Sequence, residues 1–123
     1  MLHLETIESN TLELLRKLQS LYIFKNSRLV GGTALALQLG HRKSVDLDLF
    51  GTIEITPEEI QEVCRKAGEL EISKVSRNIN IFWIDGIKVD CVNYPYGWLD
   101  ECRVLDGIRL ASVNDIAAMK ISA

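Results

Sequence analysis

The stretch "LVGGTALALQLGHRKSVDLDLF", residues 29 to 50, constrains this chain more than any other. It ends in strict alternation, so in a strand Leu47 and Leu49 take one face while Asp46 and Asp48 take the other. Burying the leucines therefore commits both carboxylates to a single opposite face. Their Cα atoms would lie about 6.5 to 7 Å apart, and at an effective dielectric near 20 two charges at that separation repel by roughly 2 to 2.5 kcal/mol. That is a sizeable fraction of the stability of a small domain. Two arrangements relieve it: a solvated face, where screening makes the repulsion small, or a hard divalent cation such as Mg²⁺, which takes carboxylate oxygens and shares its shell with substrate phosphates.

The residues upstream bear on that choice. Gly31 and Gly32 stand where an apolar strand passes into a helix, and absent side chains there permit close backbone approach while the first N–H groups of the helix favour an anion. Tight turns use glycine for purely structural reasons as well, and Thr33 could serve only as a cap. Taken with the aspartates, the order becomes strand, glycine turn, helix, then a strand bearing Asp-x-Asp, which brings a phosphate site and a metal site together. His41, Arg42 and Lys43 lie in the loop before the aspartate strand; the two cations suit nucleotide phosphates or an RNA acceptor, and equally a solvated loop, while His41 has no partner at zinc-like spacing.

The remaining elements follow from period and punctuation. Residues 5 to 23 read as an amphipathic helix, "SRLVGG" as a strand and "TALALQL" as a helix stopped by Gly40. Thr56, Pro57 and Glu59 open a helix running to about Ala67. "LEISKVS", "INIFWID" and "IKVDCVN" are strands, the last two joined by a hairpin at Asp85-Gly86, and a second hairpin turns at Asp106-Gly107. Ser112 and Asp115 form a capping box for a final helix. In the two-residue register Trp83 lies opposite Lys88, on the Asp90 side of the hairpin, where core or cation–π packing is expected of it ahead of base stacking.

The chain of 123 residues, 47% hydrophobic and 25% charged, thus reads as one α/β domain over residues 1–123, with a mixed sheet flanked by helices. A net charge of −3 argues against a broad electrostatic grip on nucleic acid. Three widely spaced cysteines without a CxxC pairing point to reduced core thiols, and no apolar run is long enough to span a bilayer, so a cytoplasmic location with no membrane partner is expected.

The spacing of Gly-Gly, thirteen residues, then Asp-Leu-Asp-Leu is similar to the active-site signature of the DNA polymerase beta-type nucleotidyltransferases. More narrowly, "GGTALALQLGHRKSVDLDLF" resembles the AbiEii/AbiGii toxin family, with weaker matches at "KVDCV" and "ASVNDIAAMK". The resemblance implies the nucleotidyltransferase fold, with Asp46, Asp48 and a third carboxylate, matched by Asp90, holding Mg²⁺ or Mn²⁺. It implies a triphosphate cradled by Gly31, Gly32 and Thr33, with Lys120 contacting phosphate, and a nucleotide passed to an acceptor hydroxyl on RNA, protein or a small molecule. A cognate antitoxin is implied as partner. The family's further helical region, with its Arg and Asp residues, would follow the last helix, whereas this sequence stops three residues after Lys120. A catalytically inactive or truncated domain that binds nucleotide or protein therefore stays open as the alternative. With the final helix cut short, Ile116, Met119 and Ile121 are expected to be exposed and to promote homo-oligomers.

Overall fold

Seven strands form one mixed sheet, in the spatial order 70–75, 79–84, 87–93, 47–51, 27–30, 108–110 and 103–105. The computed structural model describes residues 2–40 and 46–122, the last three as backbone alone. The helix expected over residues 5 to 23 is shorter, α1 at Ser9–Ser20, with single 3₁₀ turns at Leu4–Thr6 and Tyr22–Phe24. The extended backbone of Ile7 and Glu8 separates it from the first turn, and Leu21, also extended, separates it from the second. Buried Ile7 and Phe24 thereby reach the core from points off the helix axis.

β1 (Ser27–Val30) leads without a loop into α2 (Gly31–Leu39), so the two glycines are its first two residues. Gly40 then ends α2 in the left-handed conformation, its N–H donating to the Ala36 carbonyl at 2.7 Å. β2 (Leu47–Gly51) runs antiparallel to β1, and α3 (Pro57–Cys64) starts at the Thr56 cap, whose hydroxyl accepts from the Glu59 N–H. α3 ends three residues before Ala67, and Gly68 follows a short turn; a Cβ on Gly68 would collide with the Asp85 carboxylate that caps the Glu69 N–H.

β3 (Leu70–Val75), β4 (Ile79–Ile84) and β5 (Ile87–Asn93) form an antiparallel meander. Asp85 and Gly86 both have positive φ, as do Asp106 and Gly107 between β6 (Arg103–Leu105) and β7 (Ile108–Leu110). These are the tight turns that Asp-Gly favours between twisted strands. β5 then lies parallel to β2, and β7 pairs parallel with β1. α4 (Val113–Ser122) closes the described chain.

The core lies against one face of the sheet. Leu29, Leu47, Leu49, Phe82, Val89 and Cys91 are fully buried there, together with Leu15 and Leu18 of α1, Leu37 of α2 and Cys64 of α3. Cys64 and Cys91 share a hydrogen bond, which together with burial pushes the Cys91 thiol well above the usual range, as befits an inert core cysteine. Cys102 departs from the core expectation: it is half-buried at the start of β6, its Sγ 3.9 Å from the Arg103 carbonyl. Ile116, expected at the surface, is 1% exposed because α4 lays that side on the core; Met119 is half-buried, and the side chains of Lys120 and Ile121 lie outside the described residues.

Candidate active site

Alternation and register together fix the site. Because Leu47 and Leu49 are buried, Asp48 projects from the opposite face of β2, and the parallel pairing sets Asp48 directly against Asp90 of β5. On its other flank Asp48 pairs with Val30, the last residue before the glycine turn. Gly31 has φ +74°, a conformation that L side chains rarely adopt, and a Cβ there would collide with Asp48 Oδ2. Glycine thus answers two demands at this position, a left-handed turn and room for a carboxylate against the backbone.

Asp46 sits just before β2. Its main-chain carbonyl accepts a hydrogen bond from the Thr33 hydroxyl, and Thr33 is fully buried. Thr33 thereby ties the start of α2 to the residue before β2. Val30, the residue before α2, offers no side-chain cap to the first N–H groups of the helix.

Burial is the first cause of the unusual acidity of the pair. It pushes Asp48 up to about 7, with the charges of Asp90 and Asp46 adding to the shift and Lys88 opposing it. Asp90 is raised too, again first by burial, while Lys88 and the hydrogen bond with Asp48 pull the other way. Two neighbouring carboxylates joined by a hydrogen bond must share a proton. Lys88 Nζ is 3.8 Å from Asp90 Oδ1, yet that oxygen is buried without a hydrogen-bond partner.

Asp48 and Asp90 are therefore brought together as expected, on the same sheet face. Asp46 is near enough to act on both electrostatically, but among the described residues no three His, Cys, Asp or Glu side chains converge as a ready metal cluster. The donor set nevertheless suits a hard divalent cation: every candidate atom is a carboxylate oxygen, and Asp90 Oδ1 is a buried acceptor still lacking a partner. His41, Arg42 and Lys43 lie outside the described residues. The backbone of Lys120 falls within α4, but its side chain is not among those described.

Trp83 faces Lys88 across the β4–β5 hairpin as expected, but it is 40% exposed, so core packing is overturned. The indole stands near the end of β4 that turns into the hairpin. Together with Asp46 and Lys88 it lines a cavity of about 190 Å³ between the hairpin and the first turn of α1.

Known proteins share this fold. The chain superposes on a crystal structure from Helicobacter pylori assigned as a nucleotidyltransferase with a TM-score of 0.69 at 20% identity, over 94% of this chain and 60% of that one. The crystal structure of JHP933 from Helicobacter pylori gives 0.63 at 19% identity, over 95% and 58%. These likenesses establish the fold. The uncharacterised protein aq_aa25 of Aquifex aeolicus is 37% identical over 118 residues, 90% of this chain and 56% of that protein, so this chain spans little more than half the length of that curated relative. The profile of the nucleotidyl transferase AbiEii toxin family, of type IV toxin–antitoxin systems, matches residues 14–123, a span that takes in the glycine turn and all three aspartates, and the chain belongs to that family.

Proposed function

We propose that this domain transfers a nucleoside monophosphate from a nucleoside triphosphate to an acceptor hydroxyl, with Mg²⁺ or Mn²⁺ held by Asp46, Asp48 and Asp90. The reading rests on one observation: Asp48 and Asp90 meet in register on adjacent parallel strands, with the Gly31 turn pressed against the Asp48 carboxylate. When bound, the cation would neutralise charge on the triphosphate and lower the barrier to displacement at phosphorus.

The chain's own groups supply the rest. Main-chain N–H groups at Gly31 and Gly32 bind the leaving end of the triphosphate, since a helix N-terminus favours an anion. Thr33 holds Asp46 at the entrance. Arg42, Lys43 and Lys120 are proposed to contact phosphates or acceptor. Asp90 accepts the proton of the acceptor hydroxyl as its oxygen bonds to the α-phosphorus, while the bond from that phosphorus to the bridging oxygen breaks and pyrophosphate departs. Membership of a type IV toxin–antitoxin family supports a cognate antitoxin as partner. Among the described residues, no helix is long and apolar enough to cross a membrane.

The test is incubation with each α-labelled triphosphate, bulk RNA and Mg²⁺. Label is expected to enter a macromolecular product and to be lost with EDTA or in Asp48→Asn. Equal labelling by Asp48→Asn would remove the aspartates from the chemistry, and binding of triphosphate without any transfer would favour the binding module.

A further inference from the structure

We infer that the cavity between α1 and the β4–β5 hairpin is a nucleobase pocket for the acceptor, with Trp83 as its stacking platform; its assignment to the acceptor rests on the nucleotidyl-transfer reading above. A single exposed aromatic is ordinary on a protein surface. Trp83 differs because the indole borders two cavities. The first, about 190 Å³, is lined by Glu8, Asn10, Thr11, Asp46, Asp85 and Lys88, and the second, about 260 Å³, by Glu69, Glu71 and Asp85, so a base would have to enter on stacking and the single Lys88 cation against these carboxylates. A planar ring can thus lie against the indole, where base–aromatic stacking is favourable for any base. Lys88, in register opposite Trp83, adds a cation within reach of a phosphate on the stacked nucleotide.

The direction of attack chooses between acceptor and incoming nucleotide. Gly31 borders Asp48 from the β1 side, whereas Asp90, Lys88 and Trp83 lie on successive strands on the β5 and β4 side. In-line displacement sets the entering oxygen opposite the departing pyrophosphate. With the leaving phosphates on the glycine turn, the entering hydroxyl must come from the side of Asp90. On that side lies the Trp83 cavity, two residues along β5 from the Asp48–Asp90 row, with Asp46 in its wall.

The chain has two tryptophans, so Trp98→Phe makes Trp83 the only fluorophore of its kind. This protein is titrated in EDTA with short oligoribonucleotides of adenine and of cytosine, and separately in Mg²⁺ with a non-hydrolysable triphosphate analogue. The oligoribonucleotides are expected to quench Trp83. By anisotropy of a labelled oligonucleotide, Trp83→Leu should weaken binding about ten- to a hundredfold while Trp83→Tyr retains most of it. Absence of quenching, or equal affinity in Trp83→Leu, would overturn the pocket. Quenching by the triphosphate analogue alone would give it to the incoming base and overturn the acceptor assignment. Equilibrium dialysis of the analogue reports on the other reading independently: oligonucleotide quenching without triphosphate binding leaves the base pocket standing and removes nucleotidyl transfer.

Discussion

At the scale of single residues, Asp48 is a carboxylate that burial and its acidic neighbours push toward the protonated form. Its carboxyl sits near 7 in the folded state against about 3.9 when unfolded, so between those values the native protein binds the extra proton. Stability from this group is therefore complete below about pH 4 and is lost as pH rises through 7. In EDTA, urea unfolding should give falling stability across that interval, and Asp48→Asn should flatten the slope and exceed the wild type above pH 7. A wild type that gains stability between pH 5 and 7 would contradict the geometry. Gly31 supplies the matching steric test. Gly31→Ala forces a left-handed alanine and displaces the Asp48 carboxylate, so it should cost about 1–3 kcal/mol and remove nucleotidyl transfer. Gly107 has a similar φ of +76° but open space around it, so Gly107→Ala should carry the backbone cost and leave transfer unchanged.

Elements were legible in the sequence where the signals were local. Both Asp-Gly turns, the Thr56 cap and the Gly40 stop stand where short-range chemistry puts them, because each depends on a few adjacent dihedrals. The alternation at residues 46 to 50 likewise gave the face of Asp48. Pairing of β2 with β5 was not locally encoded, since some forty residues separate Asp48 from Asp90 and only the family likeness joined them. The first helix was overextended because its apolar period continues through Ile7 and Tyr22 while the backbone breaks to seat Ile7 and Phe24 in the core. Trp83 was misplaced for a related reason: a strand pattern tells which face a residue takes, not whether a helix will cover it. Asp115 shows local and distant roles in one residue. It completes the capping box with Ser112 and also accepts from the Leu99 and Asp100 N–H groups at 2.7 and 3.0 Å. Asp115→Ala should cost about 1–2 kcal/mol by chemical denaturation, through lost capping and the loss of both acceptors of the Leu99 and Asp100 N–H groups. A change under half that would mean the 99–100 segment finds other acceptors.

For the molecule as a whole, the two faces of the sheet divide the labour. One is closed by helices; the other carries the aspartates, with Phe50, Tyr94 and Trp98 packed ring against ring beyond them and Arg28 over Trp98 at 4.5 Å. Aromatic rings pack over one end of that face, while its other end holds charges that repel. A cation bound there only by the folded chain must then raise global stability by mass action. Because the ligating carboxylates must shed the proton they share, the gain should grow with pH. Saturating Mg²⁺ or Mn²⁺ is therefore expected to raise the Tm of the wild type more at pH 8 than at pH 6, by several degrees for a domain of this size. Asp48→Asn should lose the rise at both pH values, and Asp90→Asn most of it. Calorimetry at the two pH values checks this directly: an equal rise in Asp48→Asn would place the cation elsewhere, and a rise independent of pH would mean that the Asp48–Asp90 proton is not what the metal displaces.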